Sequence, residues 1–304
     1  MGSAMMPRPN NPPSFAAIMI SAVPIAIRYM LLSALGFALM AACVKAVSGY
    51  GISVLEIVAA RAAVSLFLSY LDVKRKRISI WGHNKPLLVA RGVAGALALV
   101  CVYYSVTTLT LADATVLQYT YPAFTAVLAL LFLGERIKAS TLICILLSFL
   151  GVMVMVRPFG GESLINLPHL SLMAALAGAF GSAIAYVIVR KLSQSEDSSV
   201  IIFYFPLVAL PASILMLGDD FVMPGTEALV LLLLVGIFTQ VGQIGLTKAM
   251  AAEEAGKATA YSYVQVIFSA ILGVIFFSEV PTLWTLLGGS LIIAGALVNA
   301  LWKR

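Results

Sequence analysis

Two stretches of the chain decide its fold: ATVLQYTYPAFTAVLALLFLGE at 114–135 and ATAYSYVQVIFSAILGVIFFSE at 258–279. Sliding the first forward by 144 positions lays Ala114 on Ala258, Thr115 on Thr259, Tyr119 on Tyr263, Phe124 on Phe268, Leu128 on Leu272, Phe132 on Phe276 and Glu135 on Glu279. The match runs on without a gap through Leu147/Leu291 and Gly151/Gly295. An offset of 145 aligns earlier segments, at Gly36/Gly181, Ala38/Ala183, Val44/Val189, Lys45/Arg190 and Ser48/Ser193. The chain contains itself twice. A duplicated set of apolar helices is the sequence mark of a secondary transporter, with the substrate site between the halves near mid-membrane.

Composition bounds the class. Of 304 residues, 62% are hydrophobic and 11% charged, with a mean hydropathy of +1.04. Soluble domains carry about a quarter charged residues, so this chain is expected to be a multi-spanning membrane protein with lipid as its main partner. The net charge of +6 does not point to nucleic acid, because the basic residues flank apolar runs instead of forming a patch. Cys43, Cys101 and Cys144 lie inside apolar runs, with neither metal-ligand spacing nor a disulfide framework. They read as small core residues. His83 and His169 fall in connecting segments and read as solvated. No cofactor or metal is expected.

Apolar runs long enough to cross a bilayer, about 20 residues each, occur at 29–48, 51–71, 86–108, 111–133, 138–157, 170–190, 200–217, 226–250, 257–278 and 282–302. The expected fold is all-α, ten transmembrane helices in two inverted five-helix repeats. Residues 1–27 read as a polar, Pro-rich tail and an interfacial lead-in, 28–158 as the first repeat and 169–302 as the second. The longest basic connection, Lys74-Arg75-Lys76-Arg77 to Lys85, belongs in the cytoplasm by the positive-inside rule. Arg136, Lys138, Arg190, Lys191, Lys257, Lys303 and Arg304 then fall on the same side, as do both termini. Asp113 and the Asp219-Asp220 pair fall outside. Five is an odd number, so the second half enters upside down: Glu135 faces the cytoplasm and Glu279 the outside.

The segment Tyr121-Pro122 through Leu131-Phe132-Leu133-Gly134-Glu135-Arg136, followed by Gly151-Val152, resembles the EamA module of the drug/metabolite transporter superfamily. The upstream Ala112-Asp113-Ala114-Thr115 turn fits as well. The second half repeats the pattern as Phe277-Ser278-Glu279 and Gly295, with Ser278 in place of the glycine and no proline matching Pro122. The resemblance covers about 28–302. Within the superfamily the chain looks most like bacterial ten-span exporters of amino acids and related metabolites. It implies a multi-pass inner-membrane protein, a monomer or weak homo-oligomer, in which spans one to four and six to nine wall a central cavity and five and ten are peripheral. Small multidrug members use a glutamate in the first helix. Here the ionisable residue of that span is Lys45, so their proton-exchange chemistry does not carry over.

Several residues stand out on the cost of their burial. Arg61 sits mid-span in Ala59-Ala60-Arg61-Ala62-Ala63, where an arginine costs roughly 2.5–3.5 kcal/mol to insert. It reads as a guanidinium at the cavity that grips a carboxylate with two parallel hydrogen bonds, or as a structural group tied to carbonyls. Glu56, on the same span, is a proton-coupling group, a gate partner of Lys45, or a member of a structural network. Gln118 and Tyr121 on span four, and Tyr261 and Gln265 on span nine, suit the amino and carboxylate ends of an amino acid, with rings to cover a side chain. The bland alternative is helix–helix hydrogen bonding. Gln240 and Gln243 on span eight either bind substrate or tie helices. Tyr103 and Tyr204 are further candidates for substrate contact. Pro122 frees backbone groups at the cavity. Paired glycines such as Gly178/Gly181 and Gly242/Gly245 give helices surfaces for close approach.

The leading functional reading is export of a small zwitterionic metabolite, an amino acid first, by alternating access. The export direction rests on the resemblance. A carrier of a nucleotide-like, vitamin or drug substrate is the rival; a larger anion would favour more than one basic group in the cavity, where Arg61 stands nearly alone. An intramembrane enzyme needs a nucleophile–base set or a metal cluster, and no histidine lies in a span. A channel needs a continuous polar stripe, and the sequence shows only patches.

Overall fold

The computed structural model describes residues 24–136, 138–156, 169–218, 221–279 and 283–302. The expected interfacial lead-in before Pro24, the Asp219-Asp220 pair and the Lys303-Arg304 end lie outside the described residues. These are all-helical: α1 Ile25–Ser48, α2 Val54–Lys76, α3 Lys85–Thr108, α4 Leu111–Gln118, α5 Tyr121–Leu133, α6 Ala139–Val156, α7 His169–Leu192, α8 Ser198–Leu217, α9 Thr226–Ala252, α10 Ala255–Ala260, a 3-10 turn Tyr261–Tyr263, α11 Val264–Phe277 and α12 Leu283–Leu301. Among the described residues seven helical stretches are long and apolar enough to cross a membrane: α1, α2, α3, α7, α8, α9 and the run Ala255–Phe277. Shorter apolar helices at Tyr121–Leu133, Ala139–Gly151 and Leu286–Gly295 bring the columns to the expected ten. Leu131, Phe132, Ile275 and Phe276 are exposed, as lipid-facing side chains are when the solvent is hydrocarbon.

Local signals set the ends. Ser53 accepts a hydrogen bond from Glu56 N at the start of α2, Asn84 from Leu87 N before α3, and Asp197 from Ser199 N before α8. The fourth and ninth columns are each broken at the same repeat position. Pro122 has no N–H to offer the Gln118 carbonyl, so α4 ends at Gln118 and α5 restarts at Tyr121. The ninth column has no proline. There the hydroxyls of Thr259 and Ser262 bond back to the carbonyls of Ala255 and Thr259, which loosens and bends a helix.

Helix pairing follows the repeat. Contact of α1 with α9 is matched by α7 with α3, α3 with α8 by α9 with α2, and α11 with α1 by α5 with α7. The remaining main pairs, α2 with α8 and α6 with α12, join equivalent columns. The tight points are also mates. A Cβ on Gly36 would lie 2.8 Å from Gly242 N, and one on Gly181 would lie 2.9 Å from Ala98 Cβ. Lipid tails are as apolar as leucine, so close backbone packing must hold such helices together. Both lipid-side half-helices end alike. Gly134 and Ser278 adopt left-handed φ of 66° and 55°, and the next N–H groups, of Glu135 and Glu279, donate to Ala129 O and Gly273 O. The serine that departs from the family's glycine makes the same turn, at the steric cost a Cβ brings there.

Candidate functional site

A cavity of about 100 Å³ lies where the two broken columns meet, walled by α1, α2, α3, α7, α8, α9 and both breaks. Among the described residues neither α6 nor α12 contributes to the lining. The breaks interlock across the halves. The rings of the repeat mates Tyr119 and Tyr263 lie 5.5 Å apart, Tyr119 Oη donates to Gln265 Oε1 at 2.6 Å, and the Tyr121 hydroxyl pairs with Ser262 Oγ. Tyr186 of α7 stands edge-on to Tyr121 at 5.1 Å. Gln118 Nε2 donates to Ser182 Oγ at 3.0 Å, and its Oε1 is buried with no partner.

The opposite wall is cationic. Arg61 and Arg91 are each 2% exposed. Both guanidinium carbons lie 4.9 Å from the Phe205 ring centroid, so each lies within twice that distance of the other. Arg61 also lies 5.5 Å from the Tyr103 ring. Arg91 Nη2 donates to Gln243 Oε1 at 3.2 Å. Yet Nε and Nη1 of both arginines are buried without a hydrogen-bond partner. Gly95 makes the arrangement possible: a Cβ there would meet Arg91 and would lie 2.7 Å from Phe205 Cδ2. Among the described residues no Asp or Glu lines the cavity.

Of the sequence candidates, Arg61, Tyr103, Gln118, Tyr121, Gln243 and Gln265 come together here. Three do not. Gln240 exchanges hydrogen bonds with Ser69 and ties α9 to α2. Tyr204 donates to Trp81 O at 3.0 Å and anchors α8 to the segment before α3. Tyr261 is buried among apolar residues such as Ala129 and Met250. Periodicity explains the split. Tyr204 is one residue from Phe205, so the helical step of about 100° turns it to another face, and Gln240 lies almost one turn, about 4.5 Å, along α9 from Gln243, where it meets Ser69 of α2. Tyr121 and Gln265 are held by inter-half hydrogen bonds, as the bland alternative expected, while still lining the cavity.

Lys45 does not meet Glu56. It pairs with Glu279 and donates to Leu109 O at 3.3 Å. Glu56 Oε2 instead accepts Val222 N at 3.1 Å, in the segment that enters α9. The repeat supplies the reason: the mates of Lys45 and Glu279 are Arg190 and Glu135, and these pair at the other end of the bundle at 2.9 Å. Each ion pair joins one half to the other.

Sequence reasoning missed Arg91. Six residues past Lys85, it reads as one more basic residue at the cytoplasmic flank. The signal available was its company: Gly92 and Gly95 flank it, and small residues beside a charge mark a protein-facing side. Also unmarked were Ser182, whose hydroxyl joins the polar wall, and Phe205, the ring both arginines approach. Among the described residues no group of His, Cys, Asp and Glu has the geometry to hold a metal ion.

Comparison with known proteins agrees with the architecture. The EamA-like transporter family matches residues 14–157 and again 169–301. The pseudopaline exporter CntI of Pseudomonas aeruginosa is 34% identical over 275 residues, covering 90% of this chain and 95% of that one. Solute carrier family 35 member G1 of Mus musculus is 32% identical over 290 residues, covering 91% and 78%. A solved protein structure superposes with a TM-score of 0.72 at 19% identity, over 93% of this chain and 97% of that one, which speaks to the fold. The protein is a multi-pass inner-membrane transporter, not an enzyme, and it belongs to the EamA-like transporter family of the drug/metabolite transporter superfamily.

Proposed function

We propose that the protein exports a small amino-acid-derived metabolite by alternating access, with the basic end, at Lys74–Arg77, in the cytoplasm. The observation that carries this reading is the cavity itself. It lies between inverted halves, at the two places where the helices are interrupted, and it is lined by amide, hydroxyl and guanidinium groups from both halves. Transporters of inverted-repeat design hold substrate at such a junction and rock one half against the other. Export, as opposed to uptake, draws on similarity to a protein named as an exporter.

With no carboxylate among the described residues of the cavity lining, a carrier driven by the substrate's own gradient is favoured over proton exchange. Glu56 is engaged with Val222 N outside the lining. The test is transport by the purified protein in liposomes, against a panel of labelled amino acids, with and without an imposed pH gradient. The expected result is saturable movement that the gradient leaves unchanged. Acceleration by an inward or outward proton gradient would return Glu56 to the mechanism. Movement of nucleotides or cationic drugs in place of amino acids would overturn the substrate class.

A further inference from the structure

We infer that the ligand of this cavity carries two carboxylates and an amino group, that is, a small amino-dicarboxylate. This rests on the reading that the cavity is the substrate site, and it replaces a simple zwitterion with a net anion. Two guanidinium groups share the wall around Phe205, and each keeps Nε and Nη1 buried and unpaired. In a guanidinium the Nε–H lies beside Nη2, so Nε and Nη1 belong to different edges, and each arginine keeps unpaired N–H donors on two sides that carboxylate oxygens can accept. Arg91 spends one Nη2 hydrogen on Gln243 Oε1, which fixes the plane of the guanidinium.

The balance of charge points the same way. Among the described residues the lining holds two cations and no acid, a net positive charge in a low-dielectric setting, where an unpaired buried charge is costly. A single carboxylate neutralises one. Elsewhere in the same lining the unpaired atom has the opposite need: Gln118 Oε1 is a buried acceptor without a donor, suited to an ammonium N–H. A cavity of about 100 Å³ favours a small metabolite.

The roles divide. Arg61 and Arg91 each bind one carboxylate, Gln118 receives the ammonium, and Gln243 positions Arg91. Liposomes holding the purified full chain can be assayed for counterflow of labelled glutamate, aspartate, glutamine, asparagine and succinate. Glutamate and aspartate are expected to move saturably, and the amides and succinate at least about tenfold less well, the worth of one lost charge-assisted hydrogen bond. Arg61→Gln and Arg91→Gln should each lower kcat/KM for the acidic amino acids by roughly tenfold to hundredfold, with a much smaller effect on their amides. Gln118→Leu should narrow the preference for aspartate over succinate.

A structural role for Arg91 predicts something different. If its guanidinium only holds helices together, Arg91→Met lowers the melting temperature. If it awaits a ligand, the same change removes an unpaired buried charge and raises it. A lowered melting temperature overturns the assignment. Equal transport of glutamate and glutamine overturns the two-carboxylate requirement while leaving the transporter reading in place. If none of the five compounds moves or protects the folded protein against heat, the amino-dicarboxylate falls; movement of other amino acids in the wider panel then keeps the export reading, and movement of none removes it as well.

Discussion

The two ends of the bundle carry the same latch, built to different strengths. At the basic end Arg190 Nε donates to Glu135 Oε1 at 2.9 Å and Nη1 to Met250 O at 2.7 Å. Glu135 Oε2 in turn accepts Ala255 N at 2.9 Å, a carboxylate at a helix start where the dipole favours it. At the other end the equivalents are Lys45 and Glu279. Lys45 also reaches Leu109 O, but Glu279 Oε2 is buried and accepts nothing. Arginine offers a rigid fork where lysine is a single point charge. The basic end carries further ties between α2 and the start of α8, where Lys76 meets Asp197 at 2.9 Å and Ser199 bonds Asp72. The opposite end has Tyr50 with Glu227 and Glu56 with Val222 N. Symmetry of sequence therefore yields asymmetry of closure, and the end with the lysine is the one expected to open more readily.

The sharpest way to break this comparison is to cut each latch. Arg190→Ala removes an ion pair and a carbonyl contact and should weaken closure by roughly 1.5–3 kcal/mol. A cysteine placed at the cavity residue Ser262 should then react faster with a membrane-impermeant thiol reagent applied from the basic end. Lys45→Ala should give a smaller acceleration from the opposite face. Equal accelerations would mean that the extra bonds of Glu135 and Arg190 carry no weight.

Reversing the charges sharpens the point. Lys45→Glu with Glu279→Lys should recover much of the transport lost by either change alone. Arg190→Glu with Glu135→Lys should recover little, because a carboxylate at position 190 cannot donate to Met250 O and an ammonium at position 135 cannot accept from Ala255 N. Recovery at both ends would reduce each latch to a bare charge pair.

A smaller effect is expected at the turn before the weaker latch. Ser278 holds a left-handed φ of 55° that glycine holds without strain at Gly134. Ser278→Gly should stabilise the protein by about 1 kcal/mol, read as a rise of a few degrees in melting temperature. The reverse change, Gly134→Ser, should lower it by a similar amount.

The smallest effect lies at Glu196, before α8. Burial works to raise its carboxyl pKa, but N–H donation from Asn84 and His83, with the His83 ring alongside, outweighs burial and holds it below the usual 4.5. A carboxyl depressed in the fold contributes stability in full above its ordinary value. That contribution is lost as pH falls through the lowered folded value. The melting temperature of Glu196→Gln should therefore fall less than that of the parent as pH drops below about 4.5. Parallel acid profiles would remove Glu196 from the basic end's ties.

How much of this was legible before the structure depends on what each residue needed in order to be placed. The ten columns needed only hydropathy and length. The break at Gln118–Tyr121 needed only Pro122, which removes a specific N–H. Arg61 needed only its depth. Arg91 required the tilt and packing of α3 against α7 and α8, because distance along a helix does not say which face is buried. Gln240 and Gln243 show the same limit: two amides less than one turn apart on α9, one in the cavity and one tied to Ser69. The Lys45–Glu279 pair was legible in principle. Lys45/Arg190 and Glu135/Glu279 are repeat mates of opposite charge, so a contact in one half entails its image in the other.

Each latch takes its cation from one half and its carboxylate from the other. Two identical halves, inserted in opposite senses, would therefore own both latches from a single gene, and every substitution would act on both faces of the membrane at once. Such an assembly could not prefer one side. Joining the halves in one chain frees the two copies to drift apart, and a lysine facing an arginine across the repeat is already enough to give the machine a direction of rest.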